Sequence, residues 1–211
     1  MKRDYGQLPE TIAPDSGGGH AAEPGQKQRH AHHHGRSHGQ RDEQSAHSAR
    51  MDPHTWLDPN LAMLQARTIY QTLASLDSDG ARLYKNRYEK LVTKLENLDK
   101  FMQKTLSSVK GEDMLVFHPA FGYLADAYGL RQLPVELEGK APSPRELTAL
   151  IKLAKERHIN TVFAQRQFST RSPQTIARAI GGKLVLLDPL AADYISNMKK
   201  MAVRIADALG K

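Results

Sequence analysis

One histidine of this 211-residue chain, His54, lies in a segment whose residue types suit a metal ligand. The segment runs Asp-Pro-His-Thr-Trp-Leu-Asp-Pro over residues 52–59 and contains the only tryptophan. Pro53 disfavours helix at the residue before it, and Asp58-Pro59 is typical of an N-cap followed by the first helical residue. His54 is therefore expected in a short, stiff loop, where metal binding restricts few rotamers. The alternative is a loop histidine that stacks on Trp56.

Polar side chains also follow three short apolar runs that are typical of buried strands. These residues are His118, Gln165 and Asp188. In open α/β sheets, ligands bind beyond the carboxyl ends of the strands. If the strands are neighbours, His118 and Asp188 converge on one rim, and an imidazole with a carboxylate suits zinc or manganese. The alternative for each residue is that it caps the helix that follows.

The composition limits the chemistry that the chain can perform. There is no cysteine, so disulfides, thiolate zinc sites and cysteine nucleophiles are excluded. Any metal must be held by histidine, carboxylates or water. The net charge of +7 is spread along the chain, and no basic run is interleaved with aromatic residues. We therefore expect no nucleic-acid partner.

Residues 1–50 form a polar tract with almost no large apolar side chains after Ile12. Such a segment buries too little apolar surface to offset the entropy of ordering it, so we expect disorder. The tract holds seven of the ten histidines. Flexible histidine tracts collect zinc, copper and nickel with low specificity. We predict accessory metal capture at His30, His32, His33, His34 and His38; the alternative is a solvated linker.

Periodicity after residue 58 predicts alternating helices and strands. Apolar residues at helical spacing predict a helix over 59–73 and a longer one over 81–109. Ser143, Pro144 and Glu146 are typical of a capped helix start. The predicted strands cover 114–117, 133–137, 161–164 and 184–187, and the other predicted helices cover 119–128, 144–157, 172–181 and the segment from 193 onward. This alternation predicts an α/β fold with a parallel sheet covered by helices on both faces.

An ordered set of motifs resembles the metal-binding lipoprotein/adhesin-like family, the solute-binding proteins of bacterial zinc and manganese ABC importers. The resemblance covers residues 51–211. It rests on Asp-Pro-His-x-Trp-Leu-Asp-Pro at 52–59, Val-Phe-His-Pro-Ala-Phe-Gly-Tyr-Leu at 116–124, Pro-Ser-Pro-Arg-Glu-Leu at 142–147 and Leu-Asp-Pro-Leu at 187–190. The histidine-rich insert before Asp52 is similar to the loop of the zinc-specific, ZnuA-type branch.

The resemblance implies two α/β lobes joined by a long rigid helix, with the metal bound between the lobes. His54 would come from the first lobe, and His118 and Asp188 from the second. A histidine at position 118 favours zinc, because manganese-type members tend to carry glutamate there. The bound zinc would be passed to the membrane permease of the importer by a monomeric protein. The histidine-rich tract would gather zinc without being the high-affinity site.

The predicted domain organisation has three parts. Residues 1–50 are the histidine-rich tract, residues 51–110 are the end of the first lobe and the linking helix, and residues 111–211 are the second, metal-binding lobe. Most of the first lobe, its metal-binding histidine and the export signal are then missing. We expect a truncated gene, or a start at an internal Met.

The residues and the resemblance predict different cellular locations. Met1-Lys2-Arg3 is followed by no apolar stretch typical of a signal peptide, which predicts a cytoplasmic chain. The resemblance implies the periplasm or cell envelope.

Two further classes of function compete with an importer component. A site with two histidines and one carboxylate also resembles a catalytic zinc centre, which would make the chain a metallohydrolase. No glutamate is placed as an obvious general base, and there is no His-Glu-x-x-His pattern, so we expect no enzyme activity. The other class is a cytoplasmic or truncated metal buffer that acts mainly through residues 1–50.

Overall fold

The computed structural model describes residues 52–136 and 140–210. The predictions for residues 1–50, including the accessory histidines, lie outside the described residues. The helices are α1 (Pro59–Leu76), α2 (Ala81–Leu106), α3 (Gly122–Tyr128), α4 (Pro144–Glu156), α5 (Arg171–Ala179) and α6 (Tyr194–Leu209). The strands are β1 (Asp113–Val116), β2 (Arg131–Pro134), β3 (Thr161–Gln165) and β4 (Lys183–Leu187).

The four strands form one parallel sheet in the order β2-β1-β3-β4. The predicted α/β class with a parallel sheet is confirmed. Because β2 lies on one side of β1 and β3 on the other, the strand order reverses between β1 and β3. Ligand sites of open α/β sheets lie at the carboxyl ends of strands at such a reversal. His118, which follows β1, therefore lies at the position of the sheet that most favours a binding site.

Helices cover both faces of the sheet, and alternate strand residues supply two separate cores. Met114 and Val116 of β1 contact the core formed with α2, α3 and α6, whereas Leu115 contacts the core formed with α4 and α5. This alternation follows from the two-residue repeat of a strand. Leu57, just before α1, is fully buried in the first core. The loop that carries His54 is therefore anchored in the same core as the sheet.

Helix starts follow the predicted capping residues closely. The Asp58 side chain accepts a hydrogen bond from the backbone N–H of Asn60 at the start of α1. Ser143 and Glu146 form both bonds of a capping box at the start of α4. Both predicted caps are confirmed.

Several predicted boundaries differ from the structure by one to three residues, and two of these differences affect the site. The helix predicted from residue 119 begins only at Gly122, because the N–H of Phe121 donates to the Gln132 side chain and the N–H of Ala120 to the carbonyl of His118. The strand predicted over 133–137 is β2, which ends at Pro134. Glu136 therefore lies beyond the end of the strand, at the rim of the sheet.

Helices α1 and α2 form an antiparallel hairpin, joined by a turn at residues 77–80. Tyr70 and Tyr88 stack between the two helices, with ring centroids 5.1 Å apart. The second half of α2 is buried in the core through Leu95, Leu98, Met102 and Leu106. In the described part of the chain, no helix is both long and apolar enough to span a membrane.

Candidate metal centre

His54 is held in its loop by the carboxylate of Asp52. One oxygen, Oδ1 of Asp52, contacts both the backbone N of His54 at 2.9 Å and its ring Nδ1 at 2.6 Å. The next residues, Thr55–Leu57, form a single 3-10 turn that leads into Asp58 and α1. The predicted short loop before a helix is confirmed, and the same carboxylate contacts its backbone and its ring.

Trp56 fastens this loop to the connection between β4 and α6. Its indole Nε1 donates to the carbonyl of Pro189 at 2.9 Å, and its own carbonyl accepts from the hydroxyl of Tyr194 at 2.6 Å. Burial, reinforced by the negative charge of Asp58, raises the pKa of Tyr194 above its usual value. The tyrosine therefore stays a neutral donor, and the His54 loop is held near the end of β4.

A polar network fixes the same loop against α2 and α3. Asn60 donates from Nδ2 to the carboxylates of Asp58, at 3.1 Å, and of Asp99, at 3.2 Å. The hydroxyl of Tyr128 donates to the same oxygen of Asp99 at 3.0 Å. Burial and the charge of Asp99 raise the pKa of Tyr128, so this hydroxyl also stays protonated. These bonds join the start of α1 to the helices that cover the sheet.

His118 follows β1 at the strand reversal, and its ring is held by Glu136. Nδ1 of His118 lies 3.0 Å from Oε2 of Glu136. The backbone N–H of Glu136 also donates to the carbonyl of Phe117, the residue before His118, at 2.9 Å. Helix α3 begins after Phe121 without a side-chain cap. The alternative that His118 caps this helix is therefore wrong.

The structure brings His54 and His118 together at the carboxyl edge of the sheet. Their ring centroids are 5.7 Å apart and the rings meet edge-on at 81°. Trp56 lies 5.3 Å from the His54 ring, and Phe168 lies 5.6 Å from the His118 ring. His54 therefore contacts Trp56, as the alternative interpretation predicts, and also faces a second imidazole. Two neighbouring imidazoles are the nitrogen donors that zinc prefers.

Asp188 directly follows β4 at the same edge of the sheet, as predicted. Its Oδ1 accepts from Nε2 of Gln167 at 2.6 Å and from the backbone N–H of Leu190 at 3.1 Å. Helix α6 is capped by Asp193 instead, so the alternative that Asp188 caps this helix is wrong. Across residues 52–136 and 140–210, no three His, Asp or Glu side chains form a group that could hold a metal ion. The three-residue site of His54, His118 and Asp188 therefore stays a prediction.

Several residues of this region were not identified from the sequence. The prediction that Gln165 follows its strand is wrong, because Gln165 is the buried last residue of β3. Gln167 contacts Asp188 instead. Glu136 was predicted to lie in a strand. Because β2 ends at Pro134, Glu136 lies beyond the strand and contacts His118. Asp52 was part of the first motif without a role. The sequence offered a signal only for Asp52, which lies two residues before His54. Glu136 lies eighteen residues after His118, so pairing these two required the order of the strands.

Residues 7–208 match the family described as ZnuA, zinc-uptake complex component A, periplasmic. The chain is 30% identical over 171 residues to the high-affinity zinc uptake system protein ZnuA of Bacillus subtilis (strain 168), covering 75% of this chain and 54% of that protein. It is 28% identical over 188 residues to the zinc-binding protein AdcA of Streptococcus pyogenes serotype M3, covering 81% of this chain and 36% of that protein.

A crystal structure of a ZnuA protein matches with a TM-score of 0.72 and 44% sequence identity. The match covers 75% of this chain and 62% of the crystallised one. The chain thus spans between a third and two thirds of the length of these relatives. Since the family match extends over nearly all 211 residues, the chain belongs to the ZnuA family of zinc-uptake complex components.

Proposed function

We propose that this chain is the zinc-binding part of a solute-binding protein that delivers Zn²⁺ to the membrane permease of a bacterial ABC importer. The observation that carries the proposal is the pair of imidazoles, His54 and His118, held 5.7 Å apart at the strand reversal. The names of the relatives, a zinc uptake system protein and a zinc-binding protein, support zinc as the ion. We place the protein in the periplasm or cell envelope, as the description of the family indicates.

In this proposal His54 and His118 bind zinc through nitrogen, and Asp188 supplies a carboxylate from the same edge of the sheet. The strands before His118 and Asp188 are not neighbours, because β3 lies between β1 and β4. Zinc sites of this kind have four positions, and those that exchange their ligand keep one of them open to water or to an incoming group. Two imidazoles favour zinc over manganese, which prefers carboxylate, carbonyl and water oxygens. The site is half-buried, so zinc can enter and leave at the edge of the sheet.

An exposed apolar stripe on the α1–α2 hairpin supports a second body in the complete protein. An α-helix turns by about 100° per residue. Counted in this way from Tyr70 in α1 and from Tyr88 in α2, five exposed apolar residues lie on the same side of the hairpin. They are Ile69, Leu73, Leu76, Leu83 and Leu91. Leu98, two turns after Leu91 on the same side of α2, is fully buried against the sheet layers. The apolar side of α2 that packs against the sheet therefore continues as an exposed stripe along the rest of the hairpin. We propose that a first lobe of a longer protein covers this stripe.

Zinc binding by the pair can be tested with single histidine variants. We expect the wild-type chain to bind one tight equivalent of zinc in a competition with a chelator. His54→Ala and His118→Ala should each weaken this site by more than about 100-fold, because losing only an outer-shell partner costs about 10–100-fold. His158→Ala is the matched control, since His158 lies after α4 and away from the pair. Unchanged tight binding in the His54→Ala, His118→Ala double variant would refute the proposal.

A turnover assay of the zinc-loaded protein tests for catalysis. The family is described as a transport component, and the proposal gives the chain no catalytic role. We expect the zinc-loaded protein not to turn over ester, peptide or phosphate substrates.

A metal buffer acting through residues 1–50 is the second candidate, because seven of the ten histidines lie in that tract. Substituting His30, His32, His33, His34 and His38 by Asn in the full chain separates the two functions. A buffer should lose most of its zinc capacity. The importer-type site should keep one tight equivalent and lose only weaker binding.

A further inference from the structure

We propose that Asp52 and Glu136 are positioning residues that keep Nδ1 of His54 and of His118 protonated, and so make Nε2 the metal-binding nitrogen of both rings. The use of these nitrogens for zinc rests on the proposed function. The assignment of the ring protons rests only on the hydrogen-bond contacts of His54 and His118.

The two histidines share one arrangement, although they come from different parts of the chain. In each, Nδ1 contacts a carboxylate oxygen, at 2.6 Å for His54 and 3.0 Å for His118. In each, an aromatic ring lies beside the imidazole, Trp56 in one case and Phe168 in the other. The carboxylate limits rotation of the ring and the aromatic neighbour limits its displacement. Both imidazoles are therefore presented to each other in a fixed orientation.

A carboxylate accepts but does not donate, so the hydrogen bond to Nδ1 requires the proton to be on Nδ1. The lone pair of a neutral ring is then on Nε2. Metal-binding histidines commonly donate their other ring N–H to a carboxylate, which fixes the tautomer and increases the basicity of the ligand. Asp52 and Glu136 would have this role for the two rings, without contacting the metal.

Gly122 provides an independent sign that the position of Asp52 is built into the fold. A Cβ at Gly122, the first residue of α3, would lie 2.8 Å from Oδ2 of Asp52. That distance is shorter than a normal contact, so a side chain at this position requires the end of the Asp52 side chain to shift. Glycine thus accommodates the close approach of a side chain that is two residues from His54.

The ring protons can be read directly by NMR. The full-length protein is labelled with ¹⁵N-histidine, kept free of metal and measured at about pH 8.5, where free imidazole is neutral. Long-range ¹H–¹⁵N spectra distinguish the two tautomers, and His54→Ala and His118→Ala assign the signals. We expect both rings to carry the proton on Nδ1. A wild-type ring protonated on Nε2 would overturn the proposal for that residue.

Three variants test the cause. Glu136→Met should remove the tautomer preference of His118 and leave that of His54 unchanged, whereas Asp52→Ala should do the reverse, because neither new side chain has an oxygen that accepts from Nδ1–H. Gly122→Ala should affect His54 in the same direction as Asp52→Ala but more weakly, because only the end of the Asp52 side chain has to shift. The control is Glu146→Met, the same substitution at the start of α4. In each variant the unaffected histidine reports whether the protein is still folded. An unchanged His118 signal in Glu136→Met would overturn the proposal.

Zinc affinity is the second measurement. Asp52→Ala and Glu136→Met should each weaken the tight site by about 10–100-fold, and Gly122→Ala should weaken it by less. Wild-type affinity in all three would overturn the positioning role. If the wild-type chain has no zinc site that depends on His54 and His118, the proposed function fails, while the NMR result still decides the tautomers.

Discussion

At the scale of single residues, the site depends on side chains that hold the histidines as much as on the histidines themselves. Tyr194 donates to the carbonyl of Trp56, and Trp56 donates to the carbonyl of Pro189. Together these two bonds connect the His54 loop to the segment that follows Asp188. A residue far away in sequence thus fixes the position of a candidate ligand.

A buried carboxylate at the opposite edge of the sheet makes the stability depend on pH. Burial acts to raise the pKa of Asp113, but hydrogen bonds from Arg131 at 2.7 Å and Arg157 at 3.2 Å outweigh burial and leave the pKa below its usual value. The stabilisation is therefore complete above the unfolded-state pKa of about 3.9 and is lost as the pH falls through the lower, folded-state pKa.

We predict that Asp113→Asn lowers the free energy of unfolding at neutral pH, because the two guanidinium groups lose their charged partner. The difference between the variant and the wild type should shrink below about pH 4. Urea unfolding from acid to neutral pH measures it. A difference that stays constant across this range would contradict the assigned pKa shift.

At the scale of elements, three helices end with the same backbone motif but different residues. At the ends of α3, α4 and α5, one residue has a left-handed conformation: it is the C-cap of α3 and the residue after the C-cap of α4 and of α5. It is Gly129, with φ of 72°, His158, with φ of 56°, and Gly181, with φ of 71°. At α4, the N–H groups of His158 and Ile159 donate to the carbonyls of Lys155 and Ala154, which is the Schellman pattern. Histidine therefore occupies a position that favours glycine.

We predict that His158→Gly stabilises the protein by about 1 kcal/mol, since the left-handed conformation costs an L-residue about 1–2 kcal/mol. Gly181→Ala is the matched reverse change at the end of α5 and should destabilise the protein by about the same amount. Thermal and urea unfolding measure both. Equal stability of His158→Gly and the wild type would mean that other contacts of this imidazole offset the backbone cost.

At the scale of the whole molecule, helix α2 is divided between a buried half and an exposed half. Leu91 is 39% exposed and Leu98 is fully buried on the same side of the helix. An exposed apolar stripe of this kind is typical of a surface that contacts another body. The relatives are longer than this chain, and the stripe is where additional structure would pack.

We predict that Leu98→Ala costs about 2–5 kcal/mol of unfolding free energy, because it leaves a cavity in the core. Leu91→Ala should cost less, about 1 kcal/mol in this chain, because this side chain is only partly covered and its removal leaves no closed cavity. In a longer protein that has a first lobe, Leu91→Ala should become markedly more costly. Urea unfolding of both variants in both lengths measures the difference, and an equal, small cost of Leu91→Ala in both would contradict the proposed contact.

The amino-acid sequence by itself determined the class of fold and the approximate positions of most helices and strands. Asp58 and Ser143 cap helices with their own side chains, and the apolar runs of β1, β3 and β4 have strand lengths. These features arise from contacts within a few residues, which local patterns report. The sequence also placed His118 and Asp188 directly after strands.

Only the tertiary structure decided how the site is assembled. The order β2-β1-β3-β4 brings Glu136, eighteen residues away, to His118. The bond from Trp56 to Pro189 spans 133 residues and sets the His54 loop against the same edge. Such pairings depend on strand order and on the side of the sheet that each helix covers. Hydrophobic periodicity reports neither the strand order nor the side of the sheet that a helix covers. It shows which face of a segment is buried, but not which other segment packs against that face.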